Sequence, residues 1–289
     1  MKIELKEAIN VKEILTSGAC FRAKIESDGS ITNILKDRVI NIKQDKNILY
    51  VKSSNYENLK EIIYEYFDLC RNYNKINEEI LKDNEELKFM IDKCKTYRIL
   101  NQDSFEMCIS YIISQNNNVK RISKSIEELS KLYGDKILFD GVEYYLFPTY
   151  QQLKNITLEE LSNIKIGFRD KYILDFINNY EKLQNIDNLS TEEALKELMK
   201  VKGIGMKVAS CILLFGYKRL DVYPIDTWVK QYISENYDIK NDQKTIEKFT
   251  KEKYGKYAGL IIQYMLIVHK WKVNLKTINS SFYLIRVKS

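Results

Sequence analysis

The stretch Val201-Lys-Gly-Ile-Gly-Met-Lys-Val-Ala-Ser-Cys211, followed by Val222-Tyr-Pro-Ile-Asp226, decides how this chain is read. Upstream, Ser190-Thr-Glu-Glu193 has the form of a capping box, a serine N-cap with a glutamate three positions on. Leu195, Leu198 and Met199 then give one apolar stripe, which stops at Lys202-Gly203, where glycine takes the dihedrals of a tight reversal. A second helix is expected from about Met206, with Val208, Ile212 and Phe215 spaced along it. Together these make a helix–hairpin–helix. Gly203 and Gly205 carry no side chain, so the backbone can approach a phosphate closely, and free N–H groups at the second helix's start present partial positive charge to it. The plainer reading is an αα-corner whose glycines only turn the chain.

Two further residues bear on chemistry. Lys207 stands in the first turn of the second helix, at the positive end of its dipole, where an ammonium is disfavoured and the free amine, the nucleophilic form, gains. Asp226, nineteen positions later, reads as the N-cap of a helix carrying Trp228, Val229, Tyr232 and Ile233. A carboxylate held rigidly as a cap is also placed to stabilise a positive charge developing nearby. A phosphate-contacting lysine and a purely structural cap are the ordinary explanations of the same pair.

Composition narrows the alternatives. At 289 residues the chain is long enough for two domains, and its net charge of +6 suits a polyanionic partner without requiring one. The five cysteines, at 20, 70, 94, 108 and 211, form neither a disulfide framework nor a C-x-x-C metal spacing, so no iron–sulfur or zinc site is expected. His269 is the single histidine and lies within the apolar pattern from Ile261 to Trp271, which suits a structural or surface role rather than a triad. Chemistry should therefore run on lysine and carboxylate. Met1 to Ile9 is charged without a continuous apolar run, and no later stretch approaches the roughly 20 apolar residues of a membrane span. A soluble, cytoplasmic protein with no membrane contact is expected.

Along the chain, period-two alternation gives way to period 3.6. Cys20 to Ile25, Val39 to Lys43 and Ile48 to Val51 read as strands of an antiparallel meander, separated by Ser27-Asp-Gly-Ser30 and Gln44-Asp-Lys-Asn47. From Tyr56 the signal is helical, with Leu59, Ile62, Ile63 and Tyr66 on one face and Ile122, Ile126, Leu129 and Leu132 on another. Beyond about residue 97 only helix signals occur until Phe282 to Val287, which reads as a strand. The fold class is α+β: a small antiparallel β-containing N-terminal domain over residues 1–96 and a larger all-α domain over 97–289 that holds the hairpin.

Several segments together resemble a known family. Leu198 to Ala209 with Tyr223-Pro-Ile-Asp226 resembles the helix–hairpin–helix, Gly/Pro-rich loop and aspartate signature of the HhH-GPD DNA glycosylase superfamily, and the details resemble its 8-oxoguanine DNA glycosylases. Ser114-Gln-Asn-Asn-Asn118-Val-Lys-Arg121 matches their asparagine-rich segment, and Phe147-Pro148 with Gly167-Phe-Arg169 a second DNA-contacting segment. Ser17-Gly-Ala-Cys-Phe-Arg22 resembles an early Ser-Gly-Gln-Ser-Phe-Arg motif, and Tyr257-Ala-Gly259 the start of a late pocket helix. The likeness runs from about Ser17 to about Lys270.

The resemblance implies a base-excision enzyme that rotates a damaged nucleotide out of double-stranded DNA and reads it in a pocket. Lys207 would attack C1′ of the deoxyribose, with Asp226 supporting the positively charged sugar; the resulting Schiff base permits β-elimination, so glycosylase and lyase activities combine. Asn116 would fill the vacated space, and Arg121 and Arg169 would donate to the orphaned cytosine. Phe168, where eukaryotic relatives usually carry tyrosine, would wedge into the stack. Gly18 would offer its carbonyl to the N7 hydrogen that distinguishes 8-oxoguanine, Cys211 would pack on one side of the base, and Phe215 and Pro224 would complete the substrate pocket. Gly203, Gly205 and Trp228, the last replacing a eukaryotic histidine, would face DNA phosphates. No organic cofactor or catalytic metal is implied; the family allows a monovalent cation on the carbonyls of Met199, Val201 and Ile204. A prokaryotic enzyme, working as a monomer and reaching the nucleoid through DNA, is the expectation.

The late helix departs from the pattern. In register with Tyr257-Ala-Gly259, the family's base-reading glutamine and stacking phenylalanine fall on Ile262 and Leu266, which offer neither a hydrogen bond nor an aromatic face. Gln263 is the nearest substitute, on a common face with Leu266, and a shift of one residue would bring its amide to the pocket with Ile267 behind it. Three function classes stay open: excision of 8-oxoguanine opposite cytosine, the same chemistry on another oxidised or alkylated base, and a noncatalytic DNA-binding module. The pairing of Lys207 with Asp226 speaks against the third.

Overall fold

The computed structural model describes residues 1–269. Its N-terminal part is built on a five-stranded sheet. Strand β1 (Lys2–Glu4) is followed by helix α1 (Val11–Thr16), then β2 (Lys24–Ile25), β3 (Ile31–Ile34), β4 (Val39–Asp45) and β5 (Ile48–Ser53). The order is β1-β5-β4-β3-β2, with every pair antiparallel. The register Ile42↔Val51 and the alternation along β4 and β5 put Ile40, Ile42, Leu49 and Val51 in the core.

The expected meander needs two corrections. Of the stretch from Cys20 to Ile25 only the last two residues form a strand; Cys20 and Phe21 are buried, and the Phe21 ring meets the edge of Tyr111 in the helical part at 5.7 Å. Ile31–Ile34, which was not expected, is the real neighbour of β4, and it escapes period-two detection because its first three residues are all buried.

Helices α2 (Leu59–Tyr66), α3 (Tyr73–Asp83) and α4 (Lys88–Cys94) complete this part, and α5 (Ser104–Ser114) and α6 (Val119–Tyr133) begin the next. On α6 the apolar face ends at Leu129: Leu132 is exposed, because it lies about 90° from the mean direction of Ile122, Ile126 and Leu129 on a 3.6-residue helix. A hairpin, β6 (Lys136–Phe139) and β7 (Val142–Tyr145), interrupts the run expected to be purely helical. Its turn, Asp140-Gly141, takes positive φ at both residues (49° and 78°), the conformation that an Asp-Gly pair favours between two strands.

There follow α7 (Tyr150–Leu153), α8 (Leu158–Asn163), a 3-10 turn (Gly167–Arg169), α9 (Asp170–Asn179), α10 (Thr191–Leu198), α11 (Met206–Gly216), α12 (Thr227–Tyr237) and α13 (Gln243–Tyr254). A last helix, α14, covers 258–269. Residues 105–113 of α5 and 208–215 of α11 are buried without a break, as expected of two helices at the centre packed against each other. The N-terminal and helical parts share one continuous apolar core. The strand expected over Phe282 to Val287 lies outside the described residues. No helix among the described residues is long and apolar enough to cross a membrane.

Candidate active site

The hairpin forms as its local chemistry dictates. Ser190 caps α10 by accepting the N–H of Glu193, whose carboxylate accepts the N–H of Ser190 at 2.9 Å. The turn then passes through Gly203 at φ +82°, where an added Cβ would stand 2.3 Å from the ring of Tyr172. Asp175 holds the far side by accepting the N–H of Lys202 at 2.8 Å. The carbonyls of Met199, Val201 and Ile204 lie along this same turn, and that of Val201 accepts the Ile204 N–H at 3.1 Å. Gly205, the N-cap of α11, has ordinary backbone dihedrals and open space within 4 Å of an added Cβ. No side chain caps α11 and no acidic residue sits in its first turn, so its leading N–H groups have no competing anion.

Lys207 is half-buried on the first turn, its Nζ 5.7 Å from the centre of the Tyr111 ring. Cys211, one turn on, is buried. Burial pushes its thiol up, the charge and hydrogen bond of Lys207 oppose that, and the charge of Asp226 adds to it. One sulfur thus feels both the amine and the carboxylate. Asp226 is fixed as the N-cap of α12, its Oδ1 accepting the Val229 N–H at 2.8 Å. Pro224 is buried two residues earlier, where the Ile225 N–H closes a tight turn onto the Tyr223 carbonyl at 2.7 Å. Phe215 lies behind Tyr111. Its ring is fully buried and stacked on Tyr111 at 5.8 Å and 12°, so it backs the wall that Tyr111 presents to Lys207 rather than forming a wall itself.

A second cluster gathers the asparagine segment and the 3-10 turn. Asn116 is exposed with φ 48°, Asn117 donates to the Ile113 carbonyl at 3.1 Å, and Asn118 caps α6 by accepting the Arg121 N–H at 3.0 Å. Asn116, Arg121 and Arg169 line one cavity of about 600 Å³. The two arginines differ. The Arg121 guanidinium has no partner among the described residues. That of Arg169 is nearly buried and donates through Nε to the Gln115 carbonyl at 2.8 Å, through Nη1 to that of Ile166 at 2.9 Å, and through Nη2 to those of Gln115 and Asn116. It clamps the asparagine loop. Phe168, half-exposed, lies 4.5 Å from that guanidinium and edge-on to Tyr172.

The Gly18 loop follows α1, with φ +98° at Gly18, and is braced by Gln102, whose Nε2 donates to the Ala19 carbonyl at 3.0 Å. In α14, Gly259 packs so closely that an added Cβ would lie 3.0 Å from Leu214 and from the carbonyls of Leu220 and Val222, which sets the depth of the helix. Ile262 is then completely buried. Gln263 is 8% exposed, yet its amide has no hydrogen-bond partner among the described residues, whereas Leu266, on the same side, is half-buried. Farther along that side His269 packs on Trp228, ring centres 4.2 Å apart, two residues beyond Asp226.

Comparison with known proteins fits this geometry. Residues 2–108 match the N-terminal domain of 8-oxoguanine DNA glycosylase, and residues 109–256 match the HhH-GPD superfamily of base excision DNA repair proteins. The chain belongs to the HhH-GPD superfamily. The 8-oxoguanine glycosylase/lyase of Clostridium acetobutylicum in its apo form is 34% identical, with a TM-score of 0.86 over 92% of this chain and 98% of that one. The same enzyme in complex with double-stranded DNA containing cytosine opposite 8-oxoguanine gives a TM-score of 0.85. The probable N-glycosylase/DNA lyase of Methanothermobacter thermautotrophicus is 26% identical over 63% of this chain and 66% of its own length. The N-glycosylase/DNA lyase OGG1 of Arabidopsis thaliana is 34% identical over 56% and 49%. The chain thus matches between half and two thirds of the length of these curated relatives.

Within this HhH-GPD protein, sequence reasoning missed Tyr111, Gln102 and Tyr172, which brace Lys207, the Gly18 loop and the hairpin respectively. Tyr111 sits in an uninterrupted buried stretch, where no periodicity separates a supporting ring from any other core residue.

Proposed function

We propose that this HhH-GPD protein is a base-excision-repair glycosylase and lyase acting on 8-oxoguanine in duplex DNA, opposite cytosine. The observation that carries the reading is Lys207 half-buried on the uncapped first turn of α11 beside the Tyr111 ring, with Asp226 fixed as the N-cap of α12 and Cys211 buried one turn beyond the lysine. The Lys207 amine attacks C1′ as the bond from C1′ to the base breaks, the electron pair leaving with the base. The Asp226 carboxylate, fixed by Val229, stabilises the positive charge on the sugar. Loss of a proton from C2′ of the Schiff base then expels the 3′ phosphate. Uncapped N–H groups around Gly203 and Gly205, and Trp228, hold phosphates.

For the base, the Gly18 carbonyl accepts the N7 hydrogen, Cys211 packs on one face, Pro224 borders the sugar, and Gln263 reads the Watson–Crick edge beside Leu266. The unpartnered amide of Gln263 and the burial of Ile262 support this register. Arg121, whose guanidinium has no partner among the described residues, reads the cytosine, Asn116 fills the gap, Phe168 wedges the stack, and Arg169 holds their loop and presents its remaining N–H. The working unit is one copy of the chain in the cytoplasm, with a division between the two structural parts at residues 96/97.

A second reading, another oxidised or alkylated base, is favoured by one observation: Leu266 leaves the pocket without an aromatic face. Borohydride trapping on duplexes containing 8-oxoguanine, other lesions or none decides between them. Adduct with 8-oxoguanine is expected and should vanish in Lys207→Gln while lesion binding persists. Absence of adduct with every lesion would overturn the enzyme assignment, and adduct with a different base alone would overturn the substrate.

A further inference from the structure

A separate cavity of about 600 Å³ lies between β3, α2 and the start of α5, and neither Lys207, Cys211 nor Asp226 lines it. Its apolar wall is Ile34, Leu35, Ile62 and the Tyr66 ring. Carboxylates outnumber cations around it. Asp37 pairs with Arg38, Asp103 with Lys36, Glu65 with Lys218 and Glu106, at the longest separation, with Arg22, which leaves Glu61. Glu61 is exposed and has no partner among the described residues.

Glu106 is the unusual one. Its side chain is only 10% exposed, and among the described residues no hydrogen bond reaches either carboxylate oxygen; its ion-pair partner, Nη1 of Arg22, stands 3.9 Å away, beyond hydrogen-bond reach, and makes no hydrogen bond to a described residue. A buried carboxylate without donors is an unmet demand that the fold leaves facing a cavity. Burial pushes this carboxyl up to about 7, against the pull of Arg22 and with a further push from Asp103. The group best able to answer it carries several N–H donors and a positive charge, and the adjoining wall calls for an apolar body.

We propose that this cavity binds a small organic amine, with its protonated primary ammonium on Glu106 and its apolar part against Ile34, Leu35 and Ile62. The occupant touches the braces of the Gly18 loop. Tyr66 shares a hydrogen bond with Cys20 at 3.6 Å, and Gln102 holds the Ala19 carbonyl. Only this link to Gly18 rests on the function proposed above; the binding itself does not.

Isothermal titration calorimetry on the full chain tests the site, with benzylamine as probe and benzyl alcohol and benzoate as neutral and anionic controls. Benzylamine should bind with a dissociation constant of about 1 mM or tighter, and both controls at least about tenfold more weakly. Glu106→Gln, which removes the charge, and Ile62→Trp, which fills the cavity, should each weaken benzylamine at least about tenfold, while Ile62→Trp leaves Schiff-base trapping intact. Equal binding of benzyl alcohol, unchanged benzylamine binding in both variants, or no benzylamine binding at about 10 mM would overturn the proposal. A failure of trapping on every lesion would leave these heats untouched, so the two conclusions fail separately.

Discussion

The Lys207 Nζ lies 5.7 Å from the centre of the Tyr111 ring, and the same ring is stacked on Phe215 from the helix that carries the lysine. A cation over an aromatic face gains about 0.5–2 kcal/mol according to its desolvation, enough to favour one orientation of a flexible side chain. Tyr111→Phe keeps the ring and should leave the rate of Schiff-base trapping within about twofold, whereas Tyr111→Leu should lower it about tenfold with lesion binding retained. Single-turnover trapping measured beside DNA affinity checks this. Equal rates for the two variants would remove Tyr111 from the positioning of Lys207.

Asp226 caps α12, and a pair of substitutions separates that role from the catalytic one proposed for it. Asparagine caps a helix as well as aspartate does, so Asp226→Asn should unfold within about 0.5 kcal/mol of the parent yet excise its base about a hundredfold more slowly. Asp226→Ala should lose about 1 kcal/mol of stability in addition. Urea unfolding and single-turnover excision give the two readouts.

The two hairpin glycines should respond in opposite ways. At Gly203, φ +82° and the Tyr172 ring 2.3 Å from an added Cβ make Gly203→Ala destabilising by about 2 kcal/mol or more. At Gly205 the added Cβ meets nothing, so Gly205→Ala should change stability by less than about 1 kcal/mol while weakening binding to undamaged duplex several-fold, because the methyl would stand on the face proposed to receive a phosphate. Thermal unfolding and a salt-dependent binding titration check the pair.

On α14, Ile262 and Gln263 should respond differently if Gln263 reads the base as proposed. Gln263→Ala should reduce kcat/KM for the lesion by about tenfold or more with stability little changed, as expected when one hydrogen-bonding group to a base is lost. Ile262→Gln should not create a reader; placing an amide in a fully buried site should cost about 2–4 kcal/mol of folding stability. Kinetics on a lesion duplex and a melting curve distinguish these outcomes.

Glu106 makes stability depend on pH in an uncommon direction. A carboxyl whose folded-state pKa lies above its unfolded value binds more protons folded than unfolded, so its contribution is present below about 4.5 and lost as the pH rises through about 7. Over that window the parent should lose about 3 kcal/mol relative to Glu106→Gln, whatever their difference at low pH. Denaturant unfolding of both proteins from pH 4.5 to 8 measures the change, and a constant gap between them would show that Glu106 titrates as an ordinary carboxyl.

Several parts of the site were legible before any tertiary contact was known. Ser190 and Asp226 announce themselves as caps because a cap is satisfied by an N–H two or three residues away. Cys211 follows from Lys207 by the pitch of one helix. The Asp140-Gly141 hairpin was equally local and was passed over, since the helical signals on either side outweighed a four-residue strand.

What sequence by itself determined, then, is the hairpin with its lysine, the capped aspartate, the α+β division and the family pattern, all set by dihedral preferences and hydrogen bonds within a few residues. Only the tertiary structure decided which ring faces Lys207, that Phe215 backs that ring, that Arg169 spends its donors on the asparagine loop while the Arg121 guanidinium has no partner among the described residues, and that Ile262 is wholly buried while the buried Gln263 beside it has no hydrogen-bond partner for its amide among the described residues. Those choices depend on groups brought together from distant positions by close packing. The fit of Gly259 against Leu214, Leu220 and Val222 sets how deep α14 sits and so which of its residues are wholly buried.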